Sequence, residues 1–259
     1  MSTLKVAAIQ YDIKWLQKQH NLEQLAKILA TIAQADLILL PETFSTGFAI
    51  DVQGCEEAEQ GGLVLDWMRQ QAKIKHSVIA GSVLVSHQGK KVNRFYWVTP
   101  EGIVEYYDKR HLFRLGNEQA HVVQGQKRSI LQIKGVNILP SVCYDLRFPV
   151  WLRNRQDYDV MINVANWPAV RRQVWDTLLS ARAIENQCFV IGVNRVGEDG
   201  RATPHSGGTA AYDYTGACIA RVADNQQGIL KMELDLNNLA TFKRQFPAFL
   251  DADDFSLSV

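Results

Sequence analysis

The sequence predicts an α/β protein with mixed sheets, arranged as a four-layer αββα sandwich. Three observations carry that expectation. Short β-type runs alternate with helical apolar repeats along most of the chain. Long hairpins interrupt the βα units, too many for a purely doubly wound sheet. The βα repetition is also too irregular for a closed barrel. Two mixed sheets packed face to face, with helices on their outer faces, accommodate all three.

The elements follow in order. LKVAAIQ (4–10) reads as a strand. NLEQLAKILATIAQ (21–34) reads as a helix, with Leu22, Leu25, Ile28, Leu29 and Ile32 on one face and Asn21 as its N-cap. DLILLPE (36–42) is a buried-type strand that stops at Pro41 and Glu42. Residues 63–75 form a helix and SVIAGSVLV (77–85) a strand. NRFYWVTPEGIVEYYDK (93–109) joins two aromatic β-runs through Pro-Glu-Gly, a hairpin signature. Two strands flank Lys134-Gly135, and Pro149 opens a short helix over 149–156. A strand (159–166), a long helix (170–187) and a strand (188–194) resume the alternation. The stretches 209–222 and 228–236 continue as β-hairpins, and a last helix starts near Leu236. No repeat, low-complexity tract or Pro/Gly/Ser linker divides the chain, so one domain over 1–259 is expected.

Composition narrows the function. Hydrophobic residues make up 47% and charged residues 21%, an ordinary globular mixture. Lys plus Arg number 28 against 27 Asp plus Glu, so no excess charge draws the protein to nucleic acid or to a membrane surface. A small-molecule partner is expected. The apolar stretch of MSTLKVAAIQYDIKW is broken by Gln10, Asp12 and Lys14, unlike a signal peptide, and no apolar run is long enough to span a bilayer. The four cysteines are dispersed with no CxxC pair, which reads as free thiols in the cytoplasm. Cys188 and Cys218 are expected as small buried apolar groups. The six histidines include no HExxH, no Cys/His set has zinc spacing, and neither GxGxxG nor GxxxxGK[ST] occurs. No metal and no organic cofactor is expected.

Three apolar runs stop abruptly at a reactive or charged residue: LILLPE at Glu42, IVEYYDK at Lys109 and ILPSVC at Cys143. If those strands share related sheets, a carboxylate, an ammonium and a thiol converge at one edge. Lys109 then lowers the thiol's pKa toward the nucleophilic thiolate. Glu42 takes the proton and returns it to a leaving group. Lys109 and the Tyr144 backbone N–H hold an oxyanion. Each residue also has an ordinary reading: Glu42 as a helix cap or ion-pair partner, Lys109 as a solvated lysine, Cys143 as a small core residue.

Taken together, VAAIQ, LPETFSTGF around Glu42, YDKRHLF around Lys109, CYDLRFP around Cys143 and ARAIENQCFVIGVNRVG (181–197) resemble the nitrilase superfamily, the carbon–nitrogen hydrolases, along nearly the whole chain. The resemblance implies Glu42 as general base, Lys109 as oxyanion stabiliser and Cys143 as nucleophile on an αββα sandwich. It implies a second glutamate, for which Glu118 in FRLGNEQAHVVQG is the match, hydrogen-bonding Lys109 and orienting water; a plain surface glutamate is the other reading. HSGGTAAYDYTG (205–216) departs from the His-Gly-Ser or Gly-Asp-Ser stretch of relatives, with Thr209 replacing serine. Within the superfamily, VANWPAVRRQVWDTLLSARAIENQ (164–187) is most similar to the omega-amidase branch. That implies hydrolysis of the terminal amide of 2-oxo acid monoamides such as 2-oxoglutaramate, through a thioester. A sibling amidase acting on deaminated glutathione, and a non-catalytic binding module on the same fold, are the alternatives. Arg147 either meets the substrate carboxylate or pairs with Glu185. Asn166, Trp167 and Phe44 are expected as pocket walls, and Arg171 and Arg172 as solvated. The resemblance also implies a homodimer through helices on the Cys143 side.

Overall fold

The computed structural model describes residues 3–257; Met1, Ser2, Ser258 and Val259, the ends of the domain expected over 1–259, lie outside the described residues. The first half of the chain supplies β1 (Thr3–Gln10), α1 (Lys18–Ala30), β2 (Leu37–Leu39), α2 (Leu63–Lys75), β3 (Val78–His87), β4 (Lys90–Val98) and β5 (Val104–Asp108). Next come β6 (Leu131–Ile133), β7 (Val136–Val142), α3 (Pro149–Leu152), β8 (Val160–Ala165), α4 (Arg172–Asn186) and β9 (Phe189–Asn194). The chain closes with β10 (Val196–Glu198), β11 (Pro204–Ser206), β12 (Ala210–Tyr212), β13 (Cys218–Arg221), β14 (Gly228–Asp235) and α5 (Leu236–Gln245).

These strands form two six-stranded sheets, ordered β14-β1-β2-β3-β4-β5 and β13-β12-β9-β8-β7-β6, plus the ribbon β10-β11. In each sheet the three central strands are parallel (β1-β2-β3 and β7-β8-β9) and the flanking pairs antiparallel. Residue alternation explains the layering. Leu4, Val6 and Ala8 of β1 join Leu37 and Leu39 in a core shared with the second sheet. Ala7, Ile9 and Ile38 point the other way, onto Leu22, Leu25 and Leu29 of α1 and Val64 and Met68 of α2. Trp175, Leu179 and Ala183 of α4 cover the second sheet. Gly192 lets that helix close in: a Cβ there would lie 2.4 Å from Leu179 and 2.7 Å from Trp175. The four-layer αββα sandwich is therefore present. Among the described residues, no helix is long and apolar enough to cross a membrane.

Local expectations are corrected in five places. Asn21 does not cap α1, which starts at Lys18; its buried amide donates to the Lys14 and Ser45 carbonyls and accepts the Lys14 N–H, tying the preceding loop to the helix. The helix from Pro149 stops at Leu152, after which the Asn154 side-chain oxygen accepts the Asp157 N–H in a tight turn. The long helix begins at Arg172, preceded by a 3₁₀ turn over Ala169–Arg171. β14 crosses to the first sheet and pairs with β1 from Thr3↔Asp235 to Gln10↔Gly228, so 228–235 is not a hairpin arm of β13. Cys188 is buried as expected, but Cys218 is exposed on an edge strand.

Candidate active site

Both sheets deliver side chains to one place. Glu42 follows β2 and Lys109 follows β5, while Cys143 follows β7 and Asn166 follows β8. The C-terminal ends of parallel strands carry free backbone groups and loops, which is where such sheets present chemistry. Here two of these edges face each other.

Lys109 Nζ lies 3.0 Å from Glu42 Oε1 and 3.0 Å from each oxygen of Glu118. All three residues have no exposed surface. Glu42 Oε1 also accepts from Asn93 Nδ2 at 2.8 Å, and its Oε2 accepts the Asn166 backbone N–H at 2.8 Å. The Asn166 amide donates to the Glu42 carbonyl at 2.7 Å and to Thr43 Oγ1 at 2.9 Å. Asn166 thus borders the cavity but chiefly locks the glutamate. Burial works against the Lys109 charge, yet the carboxylates of Glu118 and Glu42 outweigh it and hold its pKa above the ordinary lysine range. Glu118 is no surface glutamate. Asn117 adopts a left-handed φ of 56° between two 3₁₀ turns, folding the polar segment inward, and the Phe113 N–H donates to Glu118 Oε2 at 2.6 Å. Burial raises the Glu118 pKa, opposed by Lys109.

Cys143 stands at the junction of β7 and a 3₁₀ turn over Cys143–Arg147, with φ at 47°. A non-glycine residue held there stores about 1–3 kcal/mol, retained only where surrounding structure imposes it. Asp145 is the visible restraint. Its Oδ2 accepts from Val142 N–H at 3.0 Å and Tyr107 O–H at 2.8 Å; its Oδ1 accepts the His111 N–H at 2.8 Å and lies 2.7 Å from His111 Nδ1. One buried carboxylate therefore clamps the lysine-bearing segment to the cysteine-bearing turn. His111, stacked on Phe148 at 3.8 Å, presents Nδ1 to Asp145.

The thiol differs from expectation. Burial pushes its pKa well up, Glu42 pushes it further, and Lys109 only partly opposes them. Formally the nest holds two carboxylates against one ammonium, and Glu42 lines the same cavity as the thiol.

A cavity opens over Cys143 and is also lined by Phe48, Phe113, Tyr144, Trp167 and His205. Trp167 lines it, its backbone N–H donating to Asn194 Oδ1 at 2.8 Å. Phe44, expected as a wall, does not: it is fully buried in the helix-side core, its ring 6.0 Å from Trp67. The aromatic wall comes from Phe48 instead, 5.2 Å from Lys109 Nζ. Strand periodicity ends at Pro41, so nothing in the spacing told which of the two phenylalanines turns inward. Phe44→Ala is accordingly expected to lower unfolding free energy by about 3–5 kcal/mol with little change in KM; urea melts and initial rates on the folded fraction would expose an error if KM shifted instead.

Arg147 lines the cavity with its guanidinium 5.3 Å from the Trp167 ring; Glu185, its alternative partner, is taken by Arg182 at 2.8 Å. Arg172 pairs with Asp176 and Asp224, whereas Arg171 lines the cavity and is not simply solvated. Thr209 stitches the sheets, accepting the Asn194 N–H at 3.0 Å while its own N–H donates to Gln10 at 2.9 Å. Asn93, Asp145, Phe48, Arg171 and His205 were not marked as site residues by the sequence. Asp145, Phe48, Arg171 and His205 lie in stretches that carried or bore on the resemblance, but nothing in their spacing set them apart from their neighbours. Among the described residues, no group of three His, Cys, Asp or Glu side chains is arranged to hold a metal ion.

Comparison with known proteins agrees with this geometry. The carbon-nitrogen hydrolase family model matches residues 5–244. The chain is 45% identical over 257 residues to a Yersinia enterocolitica protein named omega-amidase YafV, covering 99% of this chain and all of that one. It is 32% identical to a 2-oxoglutaramate amidase of Bacillus subtilis, over 95% and 96% of the two chains. A crystal structure of a CN-hydrolase superfamily protein from Xanthomonas campestris, carrying an arsenic adduct in its active site, superposes with a TM-score of 0.96 at 40% identity over the full length of both chains. By the family match over most of its length and its full-length relatives, and with a thiol, a buried glutamate and a lysine lining one cavity, this chain belongs to the carbon–nitrogen hydrolase family.

Proposed function

We propose that the protein is an omega-amidase, a single hydrolase domain over 1–259 that releases ammonia from the terminal amide of 2-oxo acid monoamides, 2-oxoglutaramate above all. The observation that carries this reading is the Glu42–Lys109–Glu118 nest beneath Cys143, opening to a cavity with arginine on its wall. The names of relatives similar along the whole chain point to the same substrate class.

The chemistry follows from the contacts. Cys143 Sγ attacks the amide carbon as its proton passes to Glu42. The oxyanion falls between the Lys109 ammonium and the Tyr144 N–H, which lies in the first turn after the strand, where N–H groups lack helical acceptors. Glu42 protonates the departing ammonia and leaves a thioester. It then takes a proton from water, the hydroxide attacks the thioester, and the proton returns to the cysteine sulfur as the acid leaves. Glu118 directs both oxygens at Lys109 and is not among the cavity-lining residues, so its role is to hold that ammonium charged and in place. Water orientation, expected of it from the sequence, is assigned to Glu42. Arg147 meets the substrate carboxylate.

We assign the protein to the cytoplasm, in keeping with four free cysteines, and to a homodimer through the Cys143-side helices, where Val150 and Ile184 are more than half exposed. The deciding assay is ammonia release from 2-oxoglutaramate, from the deaminated form of glutathione and from a nitrile of matched length. Turnover is expected to rank in that order, with none from the nitrile. A preference for the longer amide would transfer the reading to the sibling amidases.

A further inference from the structure

Three arginines line the catalytic cavity, and they are not equivalent. Arg201 is paired with Asp51. Among the described residues, Arg147 and Arg171 meet no carboxylate; each lies over an aromatic ring, Arg147 5.3 Å from Trp167 and Arg171 5.3 Å from Phe113. Stacking fixes the plane of a guanidinium and leaves its N–H edge free to donate. The acid on the same wall, Asp199, pairs with neither of them: its Oδ1 accepts the backbone N–H groups of Arg201 and Thr203, both at 2.9 Å.

Trp167 organises both arginines. Its face carries Arg147, and its indole N–H donates to the Arg171 carbonyl at 2.8 Å across the 3₁₀ turn Ala169–Arg171. Charge is distributed to match. The floor, with Glu42 and Glu118 against Lys109, is net negative. The wall holds two guanidiniums that form no ion pair among the described residues, against the single carboxylate of Asp199. An amide with an anionic far end enters such a field amide-first, because the reverse orientation sets its carboxylate against the floor.

We propose that Arg171 is a second anion-binding, specificity-determining residue, which with Arg147 forms a two-guanidinium clamp on the 2-oxo-carboxylate end of the substrate. One fork satisfies a carboxylate bidentately. A 2-oxo acid adds a third acceptor oxygen beside it, and a second fork takes that oxygen together with a remaining carboxylate lone pair. The location of the amide rests on the amidase reading above; the clamp itself can be read without turnover.

The test is calorimetric titration of the catalytically inert Cys143→Ala protein with 2-oxopentanoate, a 2-oxo acid with no second carboxylate, and with the uncharged butyramide, alone and combined with Arg171→Met or Arg171→Lys. Loss of a charged hydrogen-bond donor predicts that Arg171→Met lowers the affinity ratio of 2-oxopentanoate to butyramide by about tenfold, with Arg171→Lys between it and the parent. In the active enzyme, Arg171→Met is expected to raise KM for 2-oxoglutaramate more than it lowers kcat. An unchanged affinity ratio would overturn the clamp, as would equal losses for the two ligands. Absence of ammonia release by the wild-type enzyme would count against the substrate reading alone, because the titration reads Arg171 independently of it.

Discussion

Cys143→Ala is expected to abolish ammonia release, by roughly 10⁴- to 10⁶-fold in kcat, the range seen when an enzyme loses a nucleophile acting in a concerted set. The fold should survive, because the change removes one sulfur atom from the cavity wall and leaves intact the Asp145 bonds that hold the turn. Intact-mass spectrometry of wild-type protein quenched during turnover should show an acyl adduct that the variant lacks. Residual turnover in the variant, above the level of a mock preparation, would remove the thioester from the mechanism. Burial and Glu42 push the thiol's pKa up, so in the mechanism proposed above substrate attack is coupled to proton transfer to Glu42.

The Lys109→Met variant should combine the largest stability loss with a catalytic one. It leaves Glu42 and Glu118, both fully buried, facing each other without a cation. Breaking a buried pair in this way costs about 3–5 kcal/mol. The missing oxyanion donor costs a further factor of about 10²–10³ in kcat. The pH dependence has a definite sign. Glu118 already has a raised pKa despite the pull of Lys109, and removing the lysine raises it further. A carboxyl group with a folded-state pKa above its unfolded value binds protons more tightly when folded, so it favours folding at low pH. The variant should therefore regain stability as the solution is acidified into the carboxylate range, and lose it as pH rises through the raised value. Urea melts at about pH 5 and pH 7.5 test this directly. Equal stability at the two values would mean that the carboxylates are not coupled as described. Activity should not return at low pH, because the donor is still missing.

Much of this site is legible in the chain because chemistry sits where strands end. Glu42, Lys109 and Cys143 each terminate an apolar run, and a run that stops at a reactive residue marks the edge of a sheet whichever sheet it joins. The layered fold is readable for a related reason. LKVAAIQ is apolar on both faces of the strand, which marks it as buried, and the structure divides it between two cores, Leu4, Val6 and Ala8 against Ala7 and Ile9. Asn21 shows where local signals fail: its place before an apolar repeat resembles a cap, but a loop contact with Lys14 and Ser45 uses the same amide more fully. Phe44 and Phe48 lie four residues apart beyond a proline, where no period distinguishes inside from outside.

By itself, the sequence determined the αββα class, most of the order of its elements and the three strand-end residues, Glu42, Lys109 and Cys143, that the proposed mechanism uses. Residue type and hydrophobic period are properties of a single chain position and its near neighbours. Tertiary structure alone decided that Glu118 is buried against Lys109, that burial and Glu42 push the Cys143 thiol's pKa up, that Asp145 ties the segments bearing Lys109 and Cys143 together, and that Arg171 lines the cavity without a carboxylate partner among the described residues. Protonation, pairing and exposure depend on which charges lie within a few ångströms in a low-dielectric interior. Those neighbours come from both sheets, from chain positions as far apart as Glu42 and Asn166, and only the packed fold brings them together.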